Sequence, residues 1–171
     1  MITADASVLI AQAKMRRLDL LHSVYGDTLI GPQVKAETVD AGKRISASGV
    51  ERIEKALDDG WLQLARLSSK ERRAAHGIVS KGGLDAGEAE SLALASSRKL
   101  MVILDDRAAR SFAEVMGVTF AGTAGMLFHA FMKRHLTLAG LEDAVAALSQ
   151  TIWLAPAVVA EVLKKAREAE R

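Results

Sequence analysis

The chain has no cysteine, which excludes a disulfide framework, a thiolate zinc site and a cysteine nucleophile; nothing in it calls for an oxidising compartment. Proline is almost as scarce. Two prolines in 171 residues, against 50% apolar and 26% charged residues, exclude collagen-like, low-complexity and disordered chains. Neither sign of charge is in excess, the formal net charge being +2, so bulk electrostatics argues for no particular partner. No uncharged apolar run is long enough to span a bilayer, and Met1-Ile2-Thr3-Ala4-Asp5 lacks the basic flank and apolar stretch of a secretory signal. The expectation is a soluble, cytoplasmic protein with no membrane association, folded as one domain over residues 1–171. Aromatic residues make up only 4%. Trp61, Phe112, Phe120, Phe128, Phe131 and Trp153 sit at apolar spacings that fit core burial better than base stacking.

What is present is an alternation of short apolar runs with helical stretches. Residues 1–10 read as a short buried strand that ends at Asp5-Ala6-Ser7 and runs on into an apolar helix. Leu18, Leu20, Leu21 and Val24 continue a helical stripe as far as Gly26-Asp27. Thr28 to Gly31 is a second apolar run, and Pro32 suits the first turn of the helix that carries Glu37. Ala41 to Ser48 reads as a mobile loop, Val50 to Leu57 as a helix closed by Asp58-Asp59-Gly60, and Trp61 to Leu67 as an edge strand. A polar helix from Ser69 to Ser80 precedes Asp85-Ala86-Gly87-Glu88-Ala89-Glu90, which opens an alanine- and leucine-rich helix with acids in its first turn. Leu100 to Leu104 is the clearest buried strand, with Asp105-Asp106 at its carboxyl end; a helix over Arg107–Met116 and a strand over Gly117–Ala121 follow. Residues 122–171 have a mainly helical period, broken at Leu138-Ala139-Gly140 and restarted at Pro156. The pattern predicts an α/β fold: a parallel sheet sandwiched by helices, with additional C-terminal helices in a 122–171 extension.

Parallel sheets bind ligands at the carboxyl ends of their strands. Asp5 and Asp105-Asp106 stand at two such ends, and Glu37 and Glu88 lie early in helices expected at that edge. Each acid alone also fits a structural role, since an Asp after a strand caps the next helix and a first-turn Glu faces its dipole. Asp85 and Glu90 fit those capping and solvated roles better than Glu88 does. Together, Asp5, Glu37, Glu88 and Asp106 are hard oxygen donors that stay ionised in a cleft only when cations neutralise them. Mg²⁺ or Mn²⁺ matches such donors and bridges them to substrate phosphates, which points to phosphodiester hydrolysis. Ser7 is placed to give Asp5 a supporting hydrogen bond.

The remaining candidates are weaker. Lys43-Arg44 and Arg107 with Arg110 are either ordinary solvated charge or phosphate contacts at the cleft rim. Gly122-Thr123-Ala124-Gly125 has neither dinucleotide-fingerprint nor P-loop spacing and reads as a turn of close approach. His22, His76, His129 and His135 make no zinc-binding spacing, and His129 reads as a core or interface histidine. A serine-hydrolase elbow is absent.

In order and spacing these motifs resemble the PIN-domain family, of the kind found in VapC toxins, in the branch with extended C-terminal helices. Asp5-Ala6-Ser7-Val8-Leu9-Ile10 is similar to the family's first-strand motif, and Pro32-Gln33-Val34-Lys35-Ala36-Glu37 to its second acidic motif. Leu84 to Glu90 and Leu100 to Arg110 are similar to the third and fourth acidic blocks, with Glu88 and Asp106 separated by 18 positions. Gly122-Thr123-Ala124-Gly125 matches the narrower branch. The resemblance implies metal-dependent RNA cleavage with Mg²⁺ or Mn²⁺. Asp5, Glu37, Glu88 and Asp106 carry over as catalytic metal ligands, Asp105 as a further ligand, and Ser7 and Glu90 in support. Lys43, Arg44, Arg107 and Arg110 are then the RNA-backbone contacts, and a cognate antitoxin protein and a homodimer are the implied partners. Two positions depart from the family's pattern: Leu104 stands where Ser or Thr is frequent, and Glu88 where Asp is frequent. Two other readings stay open. One is a PIN-like module that binds RNA or protein without cutting. The other is a different α/β phosphoryl-transfer enzyme, against which Asp5-Ala6-Ser7 lacks the paired acid or D-x-D of a phosphoryl-accepting Asp.

Overall fold

Ile2, Thr3 and Ala4 are all buried, as are Thr28, Leu29 and Ile30. Uninterrupted burial over three residues, with no polar alternation, is what a parallel strand covered on both faces requires. In the computed structural model, which describes residues 1–171, these runs are β1 (Ile2–Ala4) and β2 (Thr28–Ile30), joined by α1 (Ala6–Lys14) and α2 (Asp19–Tyr25). After β2 come α3 (Pro32–Lys35), a π-helical turn (Ala36–Asp40), α4 (Ala41–Arg44), α5 (Val50–Asp58) and β3 (Leu62–Leu64). The second half runs α6 (Ser69–Gly82), α7 (Ala86–Arg98), β4 (Met101–Ile103), α8 (Arg107–Val115) and β5 (Phe120–Ala121). It closes with α9 (Thr123–Met132), α10 (Leu138–Thr151) and α11 (Pro156–Ala169).

The five strands are all parallel, in the order β3-β2-β1-β4-β5. Ile2 lies beside Thr28 on one side and Met101 on the other, so the chain leaves β1 at Asp5 in the middle of the sheet's carboxyl edge. As expected, β3 is an edge strand; β5, two residues long, is the other edge. Helices cover both faces. One core, built round Leu9, Leu21, Ile30, Ile103, Leu127 and Leu141, joins the sheet to α1, α2, α9 and α10. The other, with Leu92, Val102, Leu104 and Ala109, lies under α6, α7 and α8. Leu104, one of the two residues that depart from the family pattern, is fully buried there. No helix is long and apolar enough to cross a membrane.

Several local expectations change. Ala41 to Ser48 is a loop only from Ile45 onward, because Ala41–Arg44 continues the helix through the π turn. Gly42, which suggested a loop, is instead buried where a Cβ would strike Val50, and Lys43 is ion-paired with Glu54 of α5. Leu138-Ala139-Gly140 is the first turn of α10 rather than a break, since the Thr137 hydroxyl accepts the Gly140 N–H at 3.1 Å and caps the helix. His129 is exposed, with its Nδ1 2.6 Å from the Tyr25 hydroxyl. Trp153, expected in the core, is 85% exposed in the turn between α10 and α11, while its neighbours Ile152 and Leu154 face the core.

Two interior polar groups make opposite predictions. Gln12 of α1 is fully buried, and neither its amide oxygen nor its nitrogen has a partner. An unpaired buried amide costs about 1–3 kcal/mol, so Gln12→Met, nearly equal in volume, raises the unfolding free energy by about 1–2 kcal/mol in urea titration. Glu71 is only 3% exposed yet well satisfied. It forms a capping box with Ser68 and accepts Arg98 Nε at 2.8 Å and Nη2 at 3.2 Å, tying α6 to the end of α7. The Arg98 hydrogen bond is the chief cause that pulls its carboxyl down to about 2. A depressed carboxylate stabilises above its unfolded value near 4.5 and loses that contribution as pH falls toward 2. Glu71→Gln therefore destabilises at pH 7 by about 2 kcal/mol, and the gap to wild type closes below pH 4.

Candidate active site

Each acid of the expected set is held by the way its helix begins. Asp5 is the N-cap of α1: its Oδ1 accepts the Val8 N–H at 2.9 Å, and the Ser7 hydroxyl lies 3.0 Å from both carboxylate oxygens. Asp106 caps α8 through Oδ1 and the Ala109 N–H at 2.9 Å. Asp85 and Glu88 form a reciprocal capping box on α7, with Glu88 N–H to Asp85 Oδ1 at 2.7 Å and Asp85 N–H to Glu88 Oε2 at 3.1 Å. Glu37 sits on the π turn, where its Oε1 accepts Gln33 Nε2 at 3.1 Å. A π turn inserts a residue into the helical register and is common at functional sites; here it lets Thr38 and Val39 stay buried while Glu37 reaches out.

These anchorings bring side chains from three separate segments into one cleft. An open hollow of about 240 Å³ is lined by Asp5, Ser7, Glu37, Asp85 and Glu88, with Ala6 and Ile10 as its apolar part. Asp105 and Asp106 adjoin it closely enough that their charges act on Asp5 and Glu88 respectively. Burial pushes the Asp5 carboxyl, 2% exposed, up to about 7; the Val8 and Ser7 hydrogen bonds oppose this, and the charges of Asp105 and Glu88 add to it. Burial likewise raises Glu37 and Glu88, helped by neighbouring carboxylates. Carboxylates packed together without cations are a standing electrostatic deficit.

The donor set suits a hard divalent cation: it is all carboxylate oxygen, and its most buried member has no positive partner. In the conformation seen, no three of these side chains are gathered round a single point as ligands. Capping explains this, because it takes one oxygen each of Asp106, Asp85 and Glu88 and fixes it toward a helix N-terminus.

Residues 1–168 match the model of a family described as a PIN domain. The chain belongs to the PIN-domain family. No curated protein matches it. PIN domains are generally nucleases, and so hydrolases, and the parallel sheet with its acid-lined carboxyl edge is the architecture expected of one.

Within this PIN domain the remaining expected residues divide. Asp105 gives both oxygens to Thr123, accepting its N–H at 2.7 Å and its hydroxyl at 2.5 Å, and so pins α9 to the end of β4. Gly122-Thr123 thus makes the close approach expected of it, a Cβ on Gly122 falling 3.2 Å from Asp105 Oδ1. Glu90 is half-buried and not simply solvated. It crosses to α3, where its Oε2 accepts the Gln33 N–H at 2.7 Å. Of the cations, Arg110 lies against Gly122 near Asp105, and Arg107 is exposed in the first turn of α8. Arg44 is exposed at the end of α4, while Lys43 is engaged by Glu54. Sequence reading gave no role to Gln33, Gly31 or Gly87, whose contacts between the α3 segment and α7 span 50 to 59 positions. The one signal at hand was Gly87 itself, a glycine in the first turn of a helix where alanine would be favoured.

Proposed function

We propose that this PIN domain is an Mg²⁺- or Mn²⁺-dependent endoribonuclease, acting in the cytoplasm as a VapC-like toxin that a cognate antitoxin protein restrains. The observation that carries the reading is Asp5: a carboxylate 2% exposed, at the centre of the sheet's carboxyl edge, flanked by the charges of Asp105 and Glu88 and with no cation against it. Asp5, Glu37, Glu88 and Asp106 are the residues to hold the metal, which when bound supplies charge neutralisation and activation of water for phosphodiester hydrolysis. Ser7 fixes the Asp5 carboxylate by hydrogen bonds to both oxygens. Asp105 serves α9 through Thr123 rather than joining that set. Arg107 and Arg110, on the first turn of α8 next to Asp106, hold the phosphate backbone at the rim, with Arg44 as an outlying contact. The homodimer and the antitoxin belong to the same reading and follow from the family resemblance.

The test is cleavage of RNA with and without Mg²⁺ or Mn²⁺, for wild type and Asp5→Asn. Loss of cutting on chelation and on substitution supports the reading. Cutting that survives both overturns it, and RNA binding without any cutting shows the silent module instead.

A further inference from the structure

A glycine at the second position of α7 weakens the helix, because Gly is less favourable than Ala inside a helix. Gly87 is buried, its backbone is helical, and no positive φ explains it. Its surroundings do. A Cβ built on Gly87 would lie 2.8 Å from Glu37 Oε2, 3.2 Å from Oε1 and 3.3 Å from Cδ, so the Glu37 carboxylate rests flat against the backbone of α7. The converse contact lies alongside: Glu90 of α7 rests on Gly31, the N-cap of α3, where a Cβ would collide with its Oε2. Gln33 joins the two contacts, giving its N–H to Glu90 and its side-chain amide to Glu37. The segment carrying Glu37 and the helix carrying Asp85 and Glu88 are thus clasped by an acid of each lying on a glycine of the other.

We infer that Gly87 is a positioning residue, whose missing side chain seats the Glu37 carboxylate beside Asp85 and Glu88 and sets the width of the cleft. The atoms in conflict with an added methyl are the end of a flexible side chain, so Gly87→Ala moves Glu37 and leaves the backbone of α7 in place. The structural part of this inference stands on the contact alone; its catalytic consequence rests on the nuclease reading above.

The experiment compares wild type, Gly87→Ala, Glu37→Ala and the double variant by thermal unfolding. Cleavage kinetics and the Glu37 carboxyl resonance of ¹³C-glutamate-labelled protein, assigned by its loss in Glu37→Ala, complete it. In the Glu37→Ala background the extra methyl has free space, and Tm rises by about 2 °C, the ordinary gain of Gly to Ala in a helix. With Glu37 present the gain disappears and the Glu37 resonance shifts. In active protein Gly87→Ala lowers kcat about 10²-fold, the scale of an ångström's misplacement, with KM little changed. Equal Tm gains in both backgrounds, an unmoved resonance, or an unchanged kcat in active protein overturn the inference. If wild type cuts no RNA, the nuclease reading fails while the thermal cycle and the resonance still decide the role of Gly87.

Discussion

Asp5→Asn is expected to cost the protein its proposed RNA cleavage and to make it harder to unfold. The two effects have one cause. Asp5 is 2% exposed, and its carboxyl titrates near 7 instead of 3.8, burial being the main reason. The folded state therefore holds a proton that the unfolded chain releases between those values, so stability falls as pH rises from about 4 through 7. A shift from 3.8 to about 7 corresponds to at most roughly 4 kcal/mol of lost stability at pH 8. Asparagine keeps an oxygen for the Val8 N–H, and it is an equally good N-cap, but it carries no charge. We expect Tm of Asp5→Asn to exceed wild type by about 5 °C at pH 8 and to match it near pH 4. Cleavage falls by about 10³-fold or more. Added Mg²⁺ raises Tm of wild type, because a ligand of the folded state alone stabilises it, and leaves Asp5→Asn where it was. A variant less stable than wild type at pH 8, or one that Mg²⁺ stabilises equally, removes Asp5 from the proposed set.

Asp105 and Asp106, adjacent in sequence, are expected to separate stability from activity. Asp105 accepts both the N–H and the hydroxyl of Thr123, a fully buried residue. Asp105→Ala leaves those groups unpaired and costs about 2–4 kcal/mol, measured by urea unfolding, while kcat at a temperature where the variant is folded stays within about threefold. Asp106 is exposed, and its side chain is engaged within the fold only by the Ala109 N–H that it caps at the start of α8. Asp106→Asn retains the cap, so stability changes by no more than about 0.5 kcal/mol, whereas cleavage drops about 10²-fold. Similar activity losses in both variants would return Asp105 to the metal-binding set.

Most of the strand and helix order is legible from the sequence, because the strands other than β3 lie in mainly apolar runs and the helices after β1, β3 and β4 open with a polar cap, Asp5, Ser68 and Asp106. The acids of the cleft are legible for the same reason: a residue at the carboxyl end of a parallel strand has its place fixed by topology. What stays hidden is contact across the sheet edge. Nothing local in Glu90 tells that its partner is the Gln33 N–H. Nothing in Asp105 tells that both of its oxygens go to Thr123 rather than to the cleft. Gly42 misled for a related reason, since a glycine kept for packing against Val50 looks like one kept for a turn.

The sheet ends in strands of three and two residues, β3 and β5. So short a border offers an incoming extended segment almost no ladder to extend, and fibril-like growth or domain exchange along it is closed off. A surface for self-association on this protein is therefore better offered by its helices, with specificity written in side-chain packing instead of in shared main-chain pairing.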